Sequence, residues 1–188
     1  MTERWPARVR FGGLGGQGLV TLGAVLAEAG ALDGLQVAAS QSYGSRARGG
    51  ATRADVILSR EEIDFPHVVE ADVLVVLAQE AYELYLPGVT DGGLILADDF
   101  FVEITQHTGI RQLSVEGTRS AVEKIGNKVA ANFVMLGSLV GLEGLVGQDS
   151  IEKAMEKLVR PRFLDTNLKA FELGLGLGQR LKKAPGDS

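Results

Sequence analysis

The sequence predicts an α/β protein, a three-layer α/β/α arrangement around a mixed but mostly parallel sheet. Three observations carry that prediction. Apolar runs of strand length alternate with segments whose apolar residues recur at helical spacing. The run Asp72 to Leu77, DVLVVL, is apolar on both faces, as befits a central strand covered by helices on both sides. The segment Gly12 to Gly18, GGLGGQG, stands between the first apolar run and the first helical pattern, which is the strand–loop–helix order of a Rossmann-like fold.

Val9 to Phe11 reads as the first strand, stopped by the glycines. Leu19, Leu22, Val25, Leu26 and Ala29 then mark a helix ending at Gly30 or Gly34. Leu35 to Ala39 and Asp55 to Leu58 are the second and third strands. They flank a loop, Ser40 to Thr52, with no helix between them, so they pair more easily antiparallel and make the sheet mixed. Asp72 to Leu77 is the fourth strand, and Gln79 to Leu86 a short helix stopped by Pro87. Gly93 to Ala97 and Ile110 to Val115 are the fifth and sixth strands. The remainder is helical: Thr118 to Lys124, Lys128 to Leu142 with many small residues, Ser150 to Val159 with Ser150 as cap, and Asn167 to Leu181. Residues 1–188 form a single domain, with residues 182–188 as a frayed polar tail.

Composition excludes several classes of function. The formal net charge is −5, so no basic excess points to nucleic acid or an anionic membrane. The chain has no cysteine, which rules out disulfides, a thiol nucleophile and a cysteine-ligated Fe–S cluster within it, and fits a cytoplasmic setting. His67 and His107 are the only histidines and lack metal-ligand spacing, so no metal site is expected. The longest nearly apolar run, Asn132 to Leu145, contains Glu143 and is too short to span a bilayer, and no signal peptide is evident.

Gly13, Gly15 and Gly18 spell the G-x-G-x-x-G of a dinucleotide loop in its required context. Such glycines permit close backbone approach, and a helix N-terminus offers N–H groups to a phosphate. The acid that should follow the second strand is missing: Val37 to Gly44 reads VAASQSYG, and Asp33 lies at the wrong end of that strand. Arg46 and Arg48 keep NADP open, and a plain tight turn is the other reading of the glycines. Gln17 does not belong to a plain turn, because its long amide offers both donor and acceptor.

The stretch Tyr43 to Gly50, YGSRARGG, is the second unusual feature. Ser45, Arg46, Arg48 and Arg53 gather donors in an acidic protein, and arginine forks suit phosphate or carboxylate. In a doubly wound sheet this loop leaves the edge that carries the glycine loop. A solvated loop with scattered arginines is its plain alternative.

Taken together, GGLGGQG, QSYGSRARGG and GNKVAANFVMLGSLVG (Gly126 to Gly141) resemble, in family order and over residues 8–180, the gamma subunit of 2-oxoacid:ferredoxin oxidoreductases. The Ser-Tyr-Gly and Arg-Gly-Gly elements are most similar to the 2-oxoglutarate branch. The resemblance implies a chain like the third domain of single-chain pyruvate:ferredoxin oxidoreductase, without catalytic residues or a tightly bound cofactor of its own. It implies alpha and beta partner subunits, in some members also delta, that carry thiamine diphosphate, magnesium and Fe–S clusters. The assembled enzyme decarboxylates a 2-oxoacid, forms acyl-coenzyme A and reduces ferredoxin. The chain lacks the G-D-G and N-N elements of thiamine-binding chains, in agreement.

On this resemblance Gly13, Gly15, Gly16, Gln17 and Gly18 form a loop facing the active-site region, with N–H groups near Gly16 and Gln17 holding a phosphate or a neighbouring backbone. Ser45, Arg46 and Arg48 are candidates for coenzyme A phosphates or for a carboxylate of the alpha subunit. Asn127 and Asn132 read as capping and packing residues, and Asp98 and Asp99 as turn formers. Ala130, Ala131, Gly137 and Ser138 make a surface for close approach by another helix, in this family a partner chain. An exposed partner face would also let the isolated chain form a homodimer. Two other readings stay open: a free-standing NADP- or FAD-binding protein, and an isolated binding module.

Overall fold

The structure, a computed structural model, describes residues 5–42 and 50–183. Six strands, β1 (Ala7–Leu14), β2 (Gln36–Ser42), β3 (Ala51–Ser59), β4 (Ala71–Val76), β5 (Val89–Asp98) and β6 (Arg111–Val115), form one sheet in the order β2-β3-β1-β4-β5-β6. β3 runs antiparallel to both of its neighbours, and β1, β4, β5 and β6 are mutually parallel. The mixed sheet expected from the helix-free β2–β3 connection is therefore present. The helices are α1 (Leu19–Leu32), α2 (Gln79–Tyr85), α3 (Gly117–Ser120), α4 (Ala131–Glu143), α5 (Gln148–Leu158) and α6 (Pro161–Lys183).

The outer layers are unequal. Val9 and Phe11 of β1, Val56 and Leu58 of β3 and Val73 and Val75 of β4 share the main core with α1, α4, α5 and α6. The opposite face packs Leu74, Val76, Ile95 and Ala97 against α2, chiefly through Ala81, Tyr82 and Tyr85. That thinner side carries two arginines of β1. Arg10 grips Asp55 of β3 through Nε–Oδ1 and Nη2–Oδ2 contacts of 2.7 and 2.9 Å, and donates to the Val68 carbonyl at 2.6 Å. Both side chains are almost fully buried. Arg8 forms the same fork with Asp72 of β4, at 2.9 and 3.0 Å. These pairs explain why the first strand is longer than its apolar run: the arginines break the pattern but continue the strand.

Helix α4 is buried on nearly every side and lies against α6 with almost no spacing. A Cβ on Gly137 would stand 2.1 Å from the Phe171 carbonyl, and one on Gly174 2.1 Å from that of Val134. Gly141 and Gly178 are equally confined, at 2.4 and 2.2 Å from opposing carbonyls. Ser138 Oγ donates to Val134 O at 2.9 Å and lies 3.3 Å from Gly174 O of α6. The helix that approaches these small residues is thus the chain's own α6, not a partner's. Ala130 and Ala131 are buried as well.

Several boundaries differ from the sequence expectation. The helix expected from Thr118 to Lys124 is the short α3 followed by a π turn, Ala121–Ile125, which ends at Gly126 with φ of 74°. A 3-10 turn, Lys128–Ala130, precedes α4, with Asn127 Oδ1 accepting the Val129 N–H at 3.0 Å as a cap. α5 begins at Gln148, so Ser150 is inside it and not its cap. Ser150 Oγ instead bonds Asp33, whose other oxygen accepts the Gly147 N–H at 2.6 Å, so Asp33 caps α5 from the end of α1. α6 starts at Pro161, where proline suits a first helical turn, and runs through Lys183, so Lys182 and Lys183 are helical rather than tail. No described helix is long and apolar enough to cross a membrane.

Removing one partner of a buried ion pair strands the other without compensation. Asp55→Ala is expected to lower the unfolding free energy by about 3–5 kcal/mol, read from urea unfolding followed by circular dichroism.

Candidate functional site at the glycine-loop edge

In open α/β sheets ligands gather outside the carboxyl ends of the parallel strands. Here that edge is formed by the ends of β1, β4, β5 and β6, at Leu14, Val76, Asp98 and Val115. The start of β3 lies at the same edge, since Gly13 pairs with Thr52 and Leu14 with Ala51. Ser42 ends β2 opposite Arg53. The arginine-glycine loop therefore leaves and rejoins the sheet beside the glycine loop, as expected. Ser45, Arg46 and Arg48 themselves lie outside the described residues. Arg53 reaches back to Asp55, with Nε 3.5 Å from Oδ2.

The glycine loop has an internal logic of its own. Gly13 is still part of β1. Gln17 donates its backbone N–H to Leu14 O at 3.2 Å, its Oε1 accepts the Leu14 N–H at 2.6 Å, and its Nε2 donates to Leu77 O at 2.8 Å. The amide is thus turned inward, tying the end of β1 to the end of β4. Of the two expectations for the N–H groups here, a phosphate or a neighbouring backbone, the Gln17 N–H takes the backbone of its own loop, at Leu14 O. A Cβ on Gly13 would stand 2.3 Å from Gln17 Oε1, which is why that position is glycine. Gly15 has open space around it, and Gly16 and Gly18 have φ of 92° and 76°.

Gly18 is the N-cap of α1 and supplies no side-chain cap, and the first turn of α1 has no acid. The first bond of the helix runs from Leu22 N to Gly18 O, at 3.1 Å, so the N–H groups of Leu19 to Thr21 have no intrahelical partner. Against this end of α1 stands the start of α4. A Cβ on Gly18 would lie 2.4 Å from Nδ2 of Asn132. Between them is a pocket of about 130 Å³ lined by Gly16, Gln17, Leu77, Thr118, Lys128 and Asn132, among others. A site for a whole organic cofactor occupies upwards of about 300 Å³. Two of the fingerprint's glycines, Gly13 and Gly18, are therefore covered by the protein's own Gln17 and Asn132 side chains, while Gly15 has open space. Asp33, the acid nearest the second strand, is spent on α5 at the other edge of the sheet.

Val129 of the pocket lining is 68% accessible, and Phe100 and Val122, outside that lining, are 52% and 49% accessible. Lys128 Nζ sits 4.6 Å from the centre of the Phe101 ring and 5.9 Å from that of Phe100. Asp98 is fully buried and accepts from Thr118 Oγ1 at 2.5 Å and from the N–H groups of Thr118 and Phe100 at 3.2 Å. It shapes the turn, as read from the sequence. Asp99 pairs with Arg119 at 3.0 Å. Burial pushes the Asp99 carboxyl above its usual range, against the pull of Arg119. Lys128 and Asn132 are the residues that motif reading undervalued. Their signal was the third motif itself, whose start meets the first motif only in three dimensions.

A larger cavity, about 460 Å³, lies at the opposite edge, beside Trp5, Ala7, Leu35, Asp72 and Glu143. Its carboxylates Asp33, Asp72 and Glu143 are already engaged, with α5, with Arg8 and, at 3.9 Å, with Arg111. It also sits at the amino ends of the parallel strands, where α/β sheets seldom hold ligands. The glycine-loop edge is the better candidate on both counts.

The family model for pyruvate ferredoxin/flavodoxin oxidoreductases matches residues 8–177, and the chain belongs to that family. It is 38% identical to the 2-oxoglutarate synthase subunit KorC of Methanocaldococcus jannaschii, over 92% of this chain and 94% of that one. Its fold superposes on the gamma subunit of a keto/oxoacid ferredoxin oxidoreductase from Geobacter sulfurreducens with a TM-score of 0.82 and 35% identity, covering 93% of this chain and 99% of the other. A 2-oxoglutarate:ferredoxin oxidoreductase chain from Magnetococcus marinus, solved with 2-oxoglutarate, coenzyme A and succinyl-CoA bound, shares the fold with a TM-score of 0.85 at 23% identity. That match covers 98% of this chain and 33% of the longer one.

Two outcomes follow from the site. Gln17→Leu leaves the Leu14 N–H and the Leu77 carbonyl without their partner and is expected to cost about 1–3 kcal/mol in urea unfolding. A raised Asp99 pKa means that the fold favours the protonated form. The stability this contributes is present below the ordinary carboxylate range and is lost as pH rises through the raised value. The neutral Asp99→Asn variant should therefore lose less stability than the parent over that rise, measured by thermal unfolding at a series of pH values.

Proposed function

We propose that this chain is the gamma subunit of a multisubunit, cytoplasmic 2-oxoacid:ferredoxin oxidoreductase, with 2-oxoglutarate as the substrate of the assembled enzyme. The observation that carries this reading is the self-covered glycine loop. A chain that covers two glycines of its own dinucleotide fingerprint with Gln17 and Asn132 is built to shape a neighbouring site rather than to hold a redox cofactor. The 2-oxoglutarate assignment is supported by the KorC relative, which is matched over nearly its whole length.

The chain has no cysteine for a cluster and none of the sequence elements that grip thiamine diphosphate. Those groups belong to alpha and beta partners, in some enzymes also delta, which supply decarboxylation and electron transfer to ferredoxin. The gamma chain contributes a wall. Its glycine-loop edge, with Phe100, Val122 and Val129 exposed, packs toward the partner chains. Gly15, Gly16 and Gly18 bring the backbone close to the coenzyme A region, and Ser45, Arg46 and Arg48 supply donors for its phosphates or for an alpha-subunit carboxylate.

Reconstitution tests this directly. Co-expressed with thiamine- and cluster-bearing chains, the protein should co-purify with them, and coenzyme A-dependent reduction of ferredoxin by 2-oxoglutarate should require it. The isolated chain should show no tight binding of NADPH or FAD. Tight binding of either, or full activity without this chain, would overturn the reading. Gly15→Val, at a position with open space around it, should lower activity of the complex while leaving the fold intact.

A further inference from the structure

We propose that the pocket between the starts of α1 and α4 is an oxyanion site, sized for one phosphate or carboxylate group, with Lys128 and the side-chain amide of Asn132 as its donors. The argument starts with Asn132. Its side chain lies in the first turn of α4 and the residue is 5% exposed. Its Oδ1 is committed, accepting the Phe133 N–H at 2.7 Å. Its Nδ2 stands against Gly18, has no hydrogen-bond partner among the described residues, and belongs to the lining of the pocket. The Nδ2 donor opens onto the pocket, where an anionic acceptor would make a stronger hydrogen bond than water does.

Other features near the pocket also suit a negative charge. α1 starts next to it at Gly18, against which Asn132 Nδ2 packs, and its first turn has no capping side chain and no acid. The start of α4, through Ala131 and Asn132, lines the pocket itself, so the positive end of its dipole faces that space. Lys128 lines the pocket and forms no ion pair among the described residues. Its ammonium is held over the Phe101 ring rather than by a carboxylate. Of the two nearby acids, Asp98 is occupied by Thr118 and the Phe100 N–H, and Asp99 pairs with Arg119 through Oδ2 while its Oδ1 is buried without a partner. The volume, about 130 Å³, admits a single tetrahedral or planar oxyanion and not a nucleotide.

This site rests on the chain's own residues and goes beyond the subunit reading, so the two fail independently. The test uses the full chain, isotope-labelled, titrated with inorganic phosphate, methyl phosphate and acetate. Saturable shifts are expected in the Asn132 side-chain amide and in the Gly16 to Val20 backbone amides. Asn132→Asp keeps the acceptor for Phe133 but replaces the donor with a charge, and should weaken binding at least tenfold. Lys128→Met, at an exposed position, should weaken it severalfold without touching the fold. Tighter binding of the phosphates would assign the site to a phosphate ester, and tighter binding of acetate to a carboxylate. Shifts confined to other regions, or affinities unchanged in both variants, would overturn the proposal, and so would the absence of any response. None of these results alters whether the chain co-purifies with an oxidoreductase.

Discussion

The backbone-to-backbone approach of α4 and α6 sets the position of everything at the site. Gly137, Gly141, Gly174 and Gly178 let the two helices touch where any Cβ would collide with a carbonyl of the other helix. With that contact made, α4 is enclosed, and its start is delivered to the mouth of the glycine loop. Asn132 can meet Gly18 only because α4 is held at this depth. The small residues of the third motif thus act at a distance: they fix a helix, and the helix fixes two polar side chains at the sheet edge.

The sheet below is held by a different kind of interaction. Its thinner face has little helix to cover it, and the Arg10–Asp55 and Arg8–Asp72 forks join β1 to both of its neighbours there. Buried forks of this kind are geometrically demanding, so they hold strand register more sharply than apolar contacts do. Gln17 extends the same stitching to the loop edge by joining β1 to β4 through neutral hydrogen bonds. The two forks themselves sit away from that edge.

The strand order of the motifs and the mixed sheet were legible because they depend on spacing and on a loop that lacks a helix. Strand lengths were less so. Arg8 hid the start of β1 and the glycines after Phe11 hid its end, and β2 hid its last residues because no position along it is buried. The first turn of α6 is largely exposed, and Leu164 and Leu168 are only partly buried against the core, so its start at Pro161 gave a weak signal to pattern reading. The glycine loop was read correctly as unusual but for the wrong contact. Nothing in G-G-Q-G tells a reader that the glutamine folds back onto β4, since that bond spans 60 positions of chain. The meeting of Gly18 with Asn132 was hidden for the same reason. The glycines of α4 were read as an approach surface, which they are, but the approaching helix lay later in the same chain.

The central claim is that the glycine-loop edge is the face this chain turns toward partner subunits. Hydrogen–deuterium exchange of the isolated chain against the assembled oxidoreductase measures it most directly. The account predicts slowed exchange, on assembly, in peptides covering residues 14–21 and 126–132. Unchanged exchange in both peptides, with the protection falling instead around the cavity at the opposite edge, would contradict it.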